Sequence, residues 1–197
     1  MVNPGKIIIL NGTSSSGKTC IIRALQNSLE GPYLEAGIDK FIWMMPPRYL
    51  ERPLWDDVLG LADHAGAAGH TLVVGMHQAI EALSRTGNNV IADHVLVEPA
   101  WLRDISDRLY ELPAYFIGVR CPLDVLENRE RQRKNRTLGQ ARLQYHLVHI
   151  PGIYDLEIDT SRFTPEECAA QIKSRIDSGQ PPFAFRKIKD RLNKPAW

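Results

Sequence analysis

Two kinds of hydrophobic pattern alternate along the chain. Apolar, β-branched runs predict buried strands at Lys6–Asn11, Tyr33–Ile38, Asn89–Asp93, Tyr115–Val119 and Leu156–Asp159. Between these runs, apolar residues recur every three or four positions, which is the pattern of an amphipathic helix. Helices are predicted at Lys18–Leu29, Val74–Arg85, Ala100–Tyr110, Leu123–Arg133 and Pro165–Ile176, with loops and a short helix within Met44–Gly69.

The alternation of strands and helices predicts a parallel sheet, because parallel neighbours need a crossover and the crossover is usually a helix. We expect one α/β domain of three layers around a mainly parallel five-stranded sheet. In such sheets ligands bind beyond the carboxyl ends of the strands. Functional residues are therefore expected in the loop after Asn11, at Asp39, at Asp93-His94, at Arg120 and at Asp159–Ser161.

The segment after the first predicted strand reads G-T-S-S-S-G-K-T and fits the pattern G-x-x-x-x-G-K-[ST] throughout. Backbone N–H groups of such a loop, followed by a helix N-terminus, bind polyphosphates. Lys18 is expected to reach the β- and γ-phosphates, and the Thr19 hydroxyl to bind Mg²⁺. The sequence therefore predicts a P-loop NTPase fold with nucleotide contacts from Gly12, Thr13, Ser14, Ser15, Ser16, Gly17, Lys18 and Thr19.

Asp93 is a second candidate for the metal site. It is the last residue of the predicted strand Asn89–Asp93. An acid at the end of such a strand can hold a water ligand of the magnesium ion. The alternative is a cap for the following helix, a common place for aspartate. The P-loop favours the metal role.

A P-loop occurs in switch GTPases, in remodelling ATPases and in kinases. A GTPase would show N-K-x-D, but Asn193-Lys194 is followed by Pro195-Ala196 and lacks the acid. A kinase needs a group that orients the acceptor hydroxyl and a cationic lid that excludes water. The chain holds a candidate for each. A P-loop ATPase or a nucleotide-binding regulator, acting on a protein or nucleic acid, is the alternative.

The lid candidate is the arginine-rich segment at about 128–142. Its cations fall within eight positions of a chain whose 24 Lys and Arg nearly balance 23 Asp and Glu. Guanidinium groups bind phosphate oxygens in pairs, which suits a lid. A solvated helix face is the alternative, and an RNA-binding patch would be expected to interleave aromatic residues. The cations are Arg129, Arg131, Arg133, Lys134 and Arg136.

The candidate for orienting the acceptor is Asp39, which follows the second predicted strand and so lies on the ligand side of the sheet. The same residue type also caps helices, and a short helix from Lys40 to Met45 would use it that way. The spacing leaves both interpretations open.

Several ordered pieces resemble the chloramphenicol phosphotransferase-like family of P-loop kinases, over roughly residues 7–178. They are Ile7–Thr19, Gly37-Ile38-Asp39, Asn89–Asp93, Gly118–Cys121, Arg129-Glu130, Arg133, Arg136 and Tyr154–Thr160. Thr13 and His94 depart from the family pattern, which has a glycine and a second acid there.

The resemblance implies that ATP and Mg²⁺ are the cofactors and that the γ-phosphoryl moves to a hydroxyl of a small molecule, such as chloramphenicol or a related antibiotic. It implies that Asp39 is the base toward that hydroxyl, with Lys18 and the lid residues Arg133 and Arg136 neutralising the phosphoryl group. Arg129 would pack on adenine.

The remaining expectations concern organisation and partners. We expect a kinase domain at 1–180, including the lid, and a basic tail at 181–197 that is a solvated helix or disordered. Short apolar runs and balanced charge argue against membrane and nucleic-acid partners, while a homo-oligomer is left open. The chain begins without a leader pattern and its three cysteines are widely spaced, which indicates the cytoplasm.

Three smaller groups of residues have an interpretation in the sequence, and two of them leave an alternative open. His94 either orients the acceptor or packs, and packing is favoured. His77 is interpreted as structural. Trp43, Met44, Met45 and Trp55 form either an apolar acceptor pocket or part of the core, which is the commoner place for such residues.

Overall fold

The computed structural model describes residues 2–47, 66–132 and 138–194. Its sheet has five strands, and every neighbouring pair is parallel, in the order β2-β3-β1-β4-β5. The predicted α/β class with a parallel five-stranded sheet is confirmed. The strands are β1 (Ile7–Asn11), β2 (Tyr33–Glu35), β3 (Asn89–His94), β4 (Ala114–Arg120) and β5 (Leu156–Asp159).

Helices cover both faces of this sheet, as the alternation predicts. In chain order they are α1 (Lys18–Ser28), α2 (Ile38–Ile42), α3 (Gly66–Arg85), α4 (Pro99–Leu109), α5 (Leu123–Gln132), α6 (Gln140–Tyr145), α7 (Pro165–Asp177) and α8 (Ala184–Leu192). Within the described ranges, none of these helices combines the length and the apolar character needed to cross a membrane.

Successive residues of the central strands point to opposite faces, so each strand serves two cores. Ile7 and Ile9 of β1 face one core, which also contains residues of α3, α4 and α8. Ile8 and Leu10 face the other core, which contains residues of α1 and α7. Strands buried on both sides explain the continuous apolar runs in the sequence.

The second strand is shorter than predicted. It ends at Glu35, and the Ala36 N–H still donates to the Ile91 carbonyl, but the chain then turns at Gly37 and Ile38 begins α2. Ile38 lies in the first turn of this helix and packs into the core, which explains the apolar residue at this position. An apolar residue after a strand therefore does not distinguish continuation of the strand from the start of a short buried helix.

The C-terminal segment also differs from the expectation of a solvated or disordered tail. Helix α8 inserts Ala184, Phe185 and Ile188 into the main core, where the Phe185 ring stacks on Phe116 with ring centroids 4.8 Å apart. The basic side chains of α8 occupy its outer face. They outnumber the three buried residues, so the narrow apolar face of this helix is hard to recognise in the sequence. Among the basic side chains, Lys189 lies over the ring of Tyr110.

Candidate functional site

The segment Gly12–Thr19, here called the phosphate loop, leaves the carboxyl end of β1 and leads directly into α1. Two positions need the left-handed backbone region, Ser15 with φ 63° and Gly17 with φ 93°. Gly12 is required for a different reason, because a Cβ there would lie 2.6 Å from the Val119 carbonyl oxygen. The loop therefore wraps back tightly on itself, as a phosphate cradle must.

The interior of the phosphate loop fits an anion. The hydroxyls of Ser14, Ser15 and Ser16 are buried and have no hydrogen-bond partner among the described residues. The Lys18 ammonium reaches back over the loop and donates to the carbonyls of Gly12 and Thr13, both at 2.7 Å. Unpaired buried hydroxyls cost free energy, and phosphate oxygens would supply the missing partners.

A narrow cavity of about 30 Å³, here called the inner cavity, lies against the phosphate loop. Lys18, Thr19, Asp39 and Asp93 all line it, so the structure brings together four residues that the sequence analysis placed at the site. Arg133 and Arg136, the predicted lid residues, lie outside the described residues.

The side chain of Asp93 lines this inner cavity. Burial raises the pKa of its carboxyl, the nearby Lys18 ammonium lowers it, and the carboxylates of Asp39 and Glu35 raise it. Gly37 makes room for this carboxylate, since any Cβ at that position would overlap it. The Thr19 hydroxyl and the Asp93 carboxylate are oxygen donors of the kind that Mg²⁺ prefers, and these two residues would hold the ion if it binds here.

Asp39 is the second residue of α2, and Gly37 occupies the N-cap position of that helix. The helix begins at Ile38 and not at Lys40, so capping does not account for Asp39. Its side chain is partly buried and lines the inner cavity. The arrangement brings a carboxylate and the phosphate loop to the same small cavity.

A larger cavity of about 560 Å³, here called the outer cavity, lies on the other side of the phosphate loop, between the start of α1 and the loop after β5. Arg129 forms part of its wall. The Arg129 guanidinium donates to the Thr160 hydroxyl at 3.0 Å and to the Thr160 carbonyl at 2.7 Å. The plane of this guanidinium is therefore held in place, as stacking on a ring would require.

The structure adds a residue that the sequence analysis missed. Gln144 of α6 is fully buried, accepts a hydrogen bond from the Ser14 N–H at 2.7 Å and lines the inner cavity. A contact between residues that lie 130 positions apart in the chain leaves no local pattern in the sequence. Helix α6 was also missed, because six residues are too few to show a period.

Behind the phosphate loop, Asn11 fixes the end of β1. Its amide donates to the Val148 carbonyl at 2.7 Å and to the Tyr154 hydroxyl at 3.0 Å, and its carbonyl accepts from the Leu96 N–H at 2.9 Å. Burial raises the pKa of Tyr154 to about 12. This phenol therefore stays protonated and keeps its hydrogen bonds across the ordinary pH range.

His94 packs and does not face the inner cavity as a free ligand. The Val95 N–H donates to His94 Nδ1 at 2.8 Å, so the neutral ring carries its proton on Nε2 and donates to His77 Nε2, also at 2.8 Å. His77 then donates from Nδ1 to Asp104 at 2.7 Å. Burial lowers the pKa of both histidines. The packing interpretation of His94 thus gains support, and the buried pair is a feature that the sequence did not reveal.

Trp43 and Met44 are not part of the core. They follow α2 with 64% and 71% of their surface exposed, close to Asp39 in the chain. Trp55, the fourth residue of the predicted apolar group, lies outside the described residues. Two large, mostly exposed apolar side chains therefore follow the short helix that carries Asp39.

Comparisons with known proteins point to one family. The family model of chloramphenicol phosphotransferase-like proteins matches residues 5–177. A protein of Mycobacterium tuberculosis strain H37Rv, named "Putative O-phosphotransferase", is 32% identical over 201 aligned residues, covering 95% of this chain and 89% of that protein.

Two solved structures share the fold. A sugar kinase from Janibacter sp. HTCC2649 has a TM-score of 0.68 at 16% identity, covering 89% of this chain and 96% of that one. The APS kinase of M. tuberculosis, solved with AMPPNP and APS, has a TM-score of 0.59 at 14% identity, covering 89% of this chain and 99% of that one. At these identities the likeness concerns the fold alone. The match over residues 5–177, together with the mycobacterial relative, shows that the chain belongs to the chloramphenicol phosphotransferase-like family.

Proposed function

We propose that this protein is an ATP-dependent kinase that moves the γ-phosphoryl group to a hydroxyl of a small molecule. The observation that carries the proposal is the inner cavity, where one small space joins Lys18, Thr19 and Asp93 to Asp39. The first three suit a metal-bound triphosphate and the fourth suits an alcohol. Family membership supports the same class of reaction.

The phosphate loop and Lys18 bind the β- and γ-phosphates in this proposal, with the ammonium leaving the carbonyls of Gly12 and Thr13 to do so. Thr19 binds Mg²⁺ directly and Asp93 holds one of its water ligands. When bound, Mg·ATP supplies the phosphoryl group and neutralises part of its charge. A metal ion beside Asp93 would favour the ionised carboxylate and oppose the pKa rise caused by burial.

Asp39 orients the acceptor hydroxyl and accepts its proton as the new O–P bond forms. The bond between the γ-phosphorus and the bridging oxygen of ATP breaks in the same step, and ADP is the leaving group. The transition state of phosphoryl transfer is loose, so positioning matters more than a strong base. A carboxylate that lines the same inner cavity as Lys18 meets that requirement. Arg133 and Arg136 are proposed to neutralise the phosphoryl group from the lid.

The nucleotide base is proposed to occupy the outer cavity, whose volume of about 560 Å³ accommodates a purine. Arg129 would stack on the base, because Thr160 holds its guanidinium at two points. On the acceptor side, exposed Trp43 and Met44 favour an alcohol with an apolar portion. Chloramphenicol or a related antibiotic is one such compound.

The test is a panel of hydroxyl-bearing antibiotics and metabolites with γ-labelled ATP and Mg²⁺, followed by the variant Asp39→Asn. We expect transfer to at least one alcohol, and a fall of roughly two to four orders of magnitude in the variant, the range for losing a positioned base. Nucleotide affinity, measured by calorimetry, should persist.

Lys40→Gln is the matched control, because Lys40 is the exposed neighbour of Asp39 and pairs with Glu35. It should transfer at the wild-type rate. ATP hydrolysis without phosphorylation of any alcohol in a broad panel would favour the ATPase or regulator instead.

A further inference from the structure

Helix α6 is fixed at its beginning by a buried carboxylate. Glu130 of α5 is 2% exposed, and its two oxygens accept the N–H groups of Gly139 at 2.7 Å and of Ala141 at 3.1 Å. Free N–H groups at a helix start need such partners. A carboxylate that binds two of them ties α6 firmly to the end of α5.

The far end of α6 reaches the phosphate loop. Gln144 has no exposed surface, and its Oε1 accepts the Ser14 N–H at 2.7 Å, two residues after Gly12. The same side chain lines the inner cavity together with Lys18, Asp39 and Asp93. One residue therefore contacts the backbone of the loop and borders the space that the phosphoryl group must enter.

The chemistry of this side chain is informative. A carboxylate at position 144 would accept the Ser14 N–H equally well, but it would add a negative charge to a cavity that already holds Asp39 and Asp93. An amide supplies the acceptor oxygen without that charge. In a cavity that receives a phosphate, this difference has a large electrostatic effect, because buried charges are poorly screened.

We propose that Gln144 is a positioning residue for phosphoryl transfer, which holds Ser14 in place and borders the transferring phosphoryl group with a neutral amide. The inference rests on the proposed function and names a residue that sets the geometry of the same site. A shift of about 1 Å in the reacting groups can cost about 100-fold in rate. Ser14 begins the turn of the phosphate loop and lines the inner cavity together with Asp39. A shift of Ser14 would therefore change where the phosphoryl group lies relative to Asp39.

Two variants separate the two parts of this role. Gln144→Met keeps the length of the side chain but removes the acceptor oxygen. We expect its kcat to fall about 10- to 100-fold, while its KM for ATP changes less than about 3-fold. Leu143→Ala, at an exposed position of the same helix, is the control and should be unchanged.

Gln144→Glu keeps the acceptor oxygen and introduces the charge. At about pH 8 we expect it to be about 100-fold slower than wild type. Its carboxyl would have a raised pKa beside two other carboxylates, so protonation on acidification restores a neutral group of the same shape. The ratio of variant to wild-type rate should therefore rise as the pH falls. A purely structural acceptor would give a constant ratio near one.

Calorimetry gives a readout that needs no acceptor alcohol. At about pH 8, Gln144→Glu should lose about 10-fold or more in affinity for a non-hydrolysable ATP analogue and much less for ADP, because the charge borders the γ-phosphate. Equal losses for both nucleotides, or none, would overturn the proposed placement, as would wild-type kcat in Gln144→Met. Circular dichroism checks folding, and the Met variant alone decides the positioning role if the Glu variant unfolds. If the wild type binds both nucleotides but phosphorylates no alcohol, the kinase proposal fails while this comparison still stands.

Discussion

At the scale of single residues, Gly37 shows how a missing side chain makes room for a buried carboxylate. A methyl group at this position would overlap the Asp93 carboxylate. We therefore expect Gly37→Ala to displace Asp93 and to lower Mg²⁺-dependent nucleotide affinity by about 10-fold or more, an effect of about 1.4 kcal/mol or more. Calorimetry with ATP, in the presence and absence of Mg²⁺, measures it.

The matched control is Gly75→Ala in the middle of α3, where an added Cβ meets nothing within 4 Å. That variant should bind nucleotide normally and be more stable by about 0.5–1 kcal/mol, since alanine favours a helix. Equal Mg²⁺ dependence in Gly37→Ala and wild type would contradict the role assigned to Gly37.

Residues of the site could be predicted from the sequence where the chemistry is contiguous. The eight positions of the phosphate loop stand together, so a pattern finds them, and Asp39 and Asp93 follow from the rule that ligands bind at the carboxyl ends of strands. Gln144 could not be found this way. Its place depends on α6, whose position depends in turn on Glu130, and neither contact is local in sequence.

At the scale of elements, α8 is the helix whose packing the sequence concealed. Phe185 is 2% exposed and stacks on Phe116 in the main core. We expect Phe185→Ala to lower the free energy of unfolding by about 3–5 kcal/mol, the usual cost of truncating a buried phenylalanine. Urea denaturation measures this free energy.

Phe183 offers the comparison, since it lies two residues earlier with 37% of its surface exposed. Phe183→Ala should cost much less. A loss below about 1 kcal/mol for Phe185→Ala would mean that α8 contributes little to the core, as a dispensable tail would.

The long elements were predicted because their burial is uniform. Central strands covered on both faces are apolar over most of their length, and α1, α4 and α7 have one clear apolar face. Among the short or mostly basic helices, α6 was missed, while α2 and α8 were only alternatives and their packing was not foreseen. Helix α2 has five residues and α6 has six, too few for a period to emerge, and the charges of α8 outnumber its three buried residues.

At the scale of the whole molecule, the buried histidine pair links stability to pH. His94 and His77 bond to each other through their Nε2 atoms, and Asp104, which also pairs with Arg108, closes the chain. A proton added to either ring would place two N–H groups face to face or break the bond to Val95. Burial accordingly lowers the pKa of both rings, most strongly that of His94, and the His77 and Lys18 charges lower it further.

This shift predicts acid destabilisation in a definite window. Both histidines take up a proton at lower pH in the folded protein than in the unfolded chain, which protonates them below about pH 6.5. Their stabilisation is therefore fully present above that pH and is lost as the pH falls. The slope should approach about 1.4 kcal/mol per pH unit for each histidine that stays neutral. Urea unfolding between about pH 8 and pH 5 measures this slope.

The variant His77→Gln replaces a titrating ring with an amide and should reduce the slope, while His146→Gln at an exposed position should not. Parallel pH profiles for wild type and His77→Gln would show that the buried pair does not control acid stability. The Asp104 carboxyl has a lowered pKa, so its own contribution is lost only at more acidic pH. Burial also lowers the pKa of His149, to about 4, and this ring accounts for the slope that remains in His77→Gln together with His94.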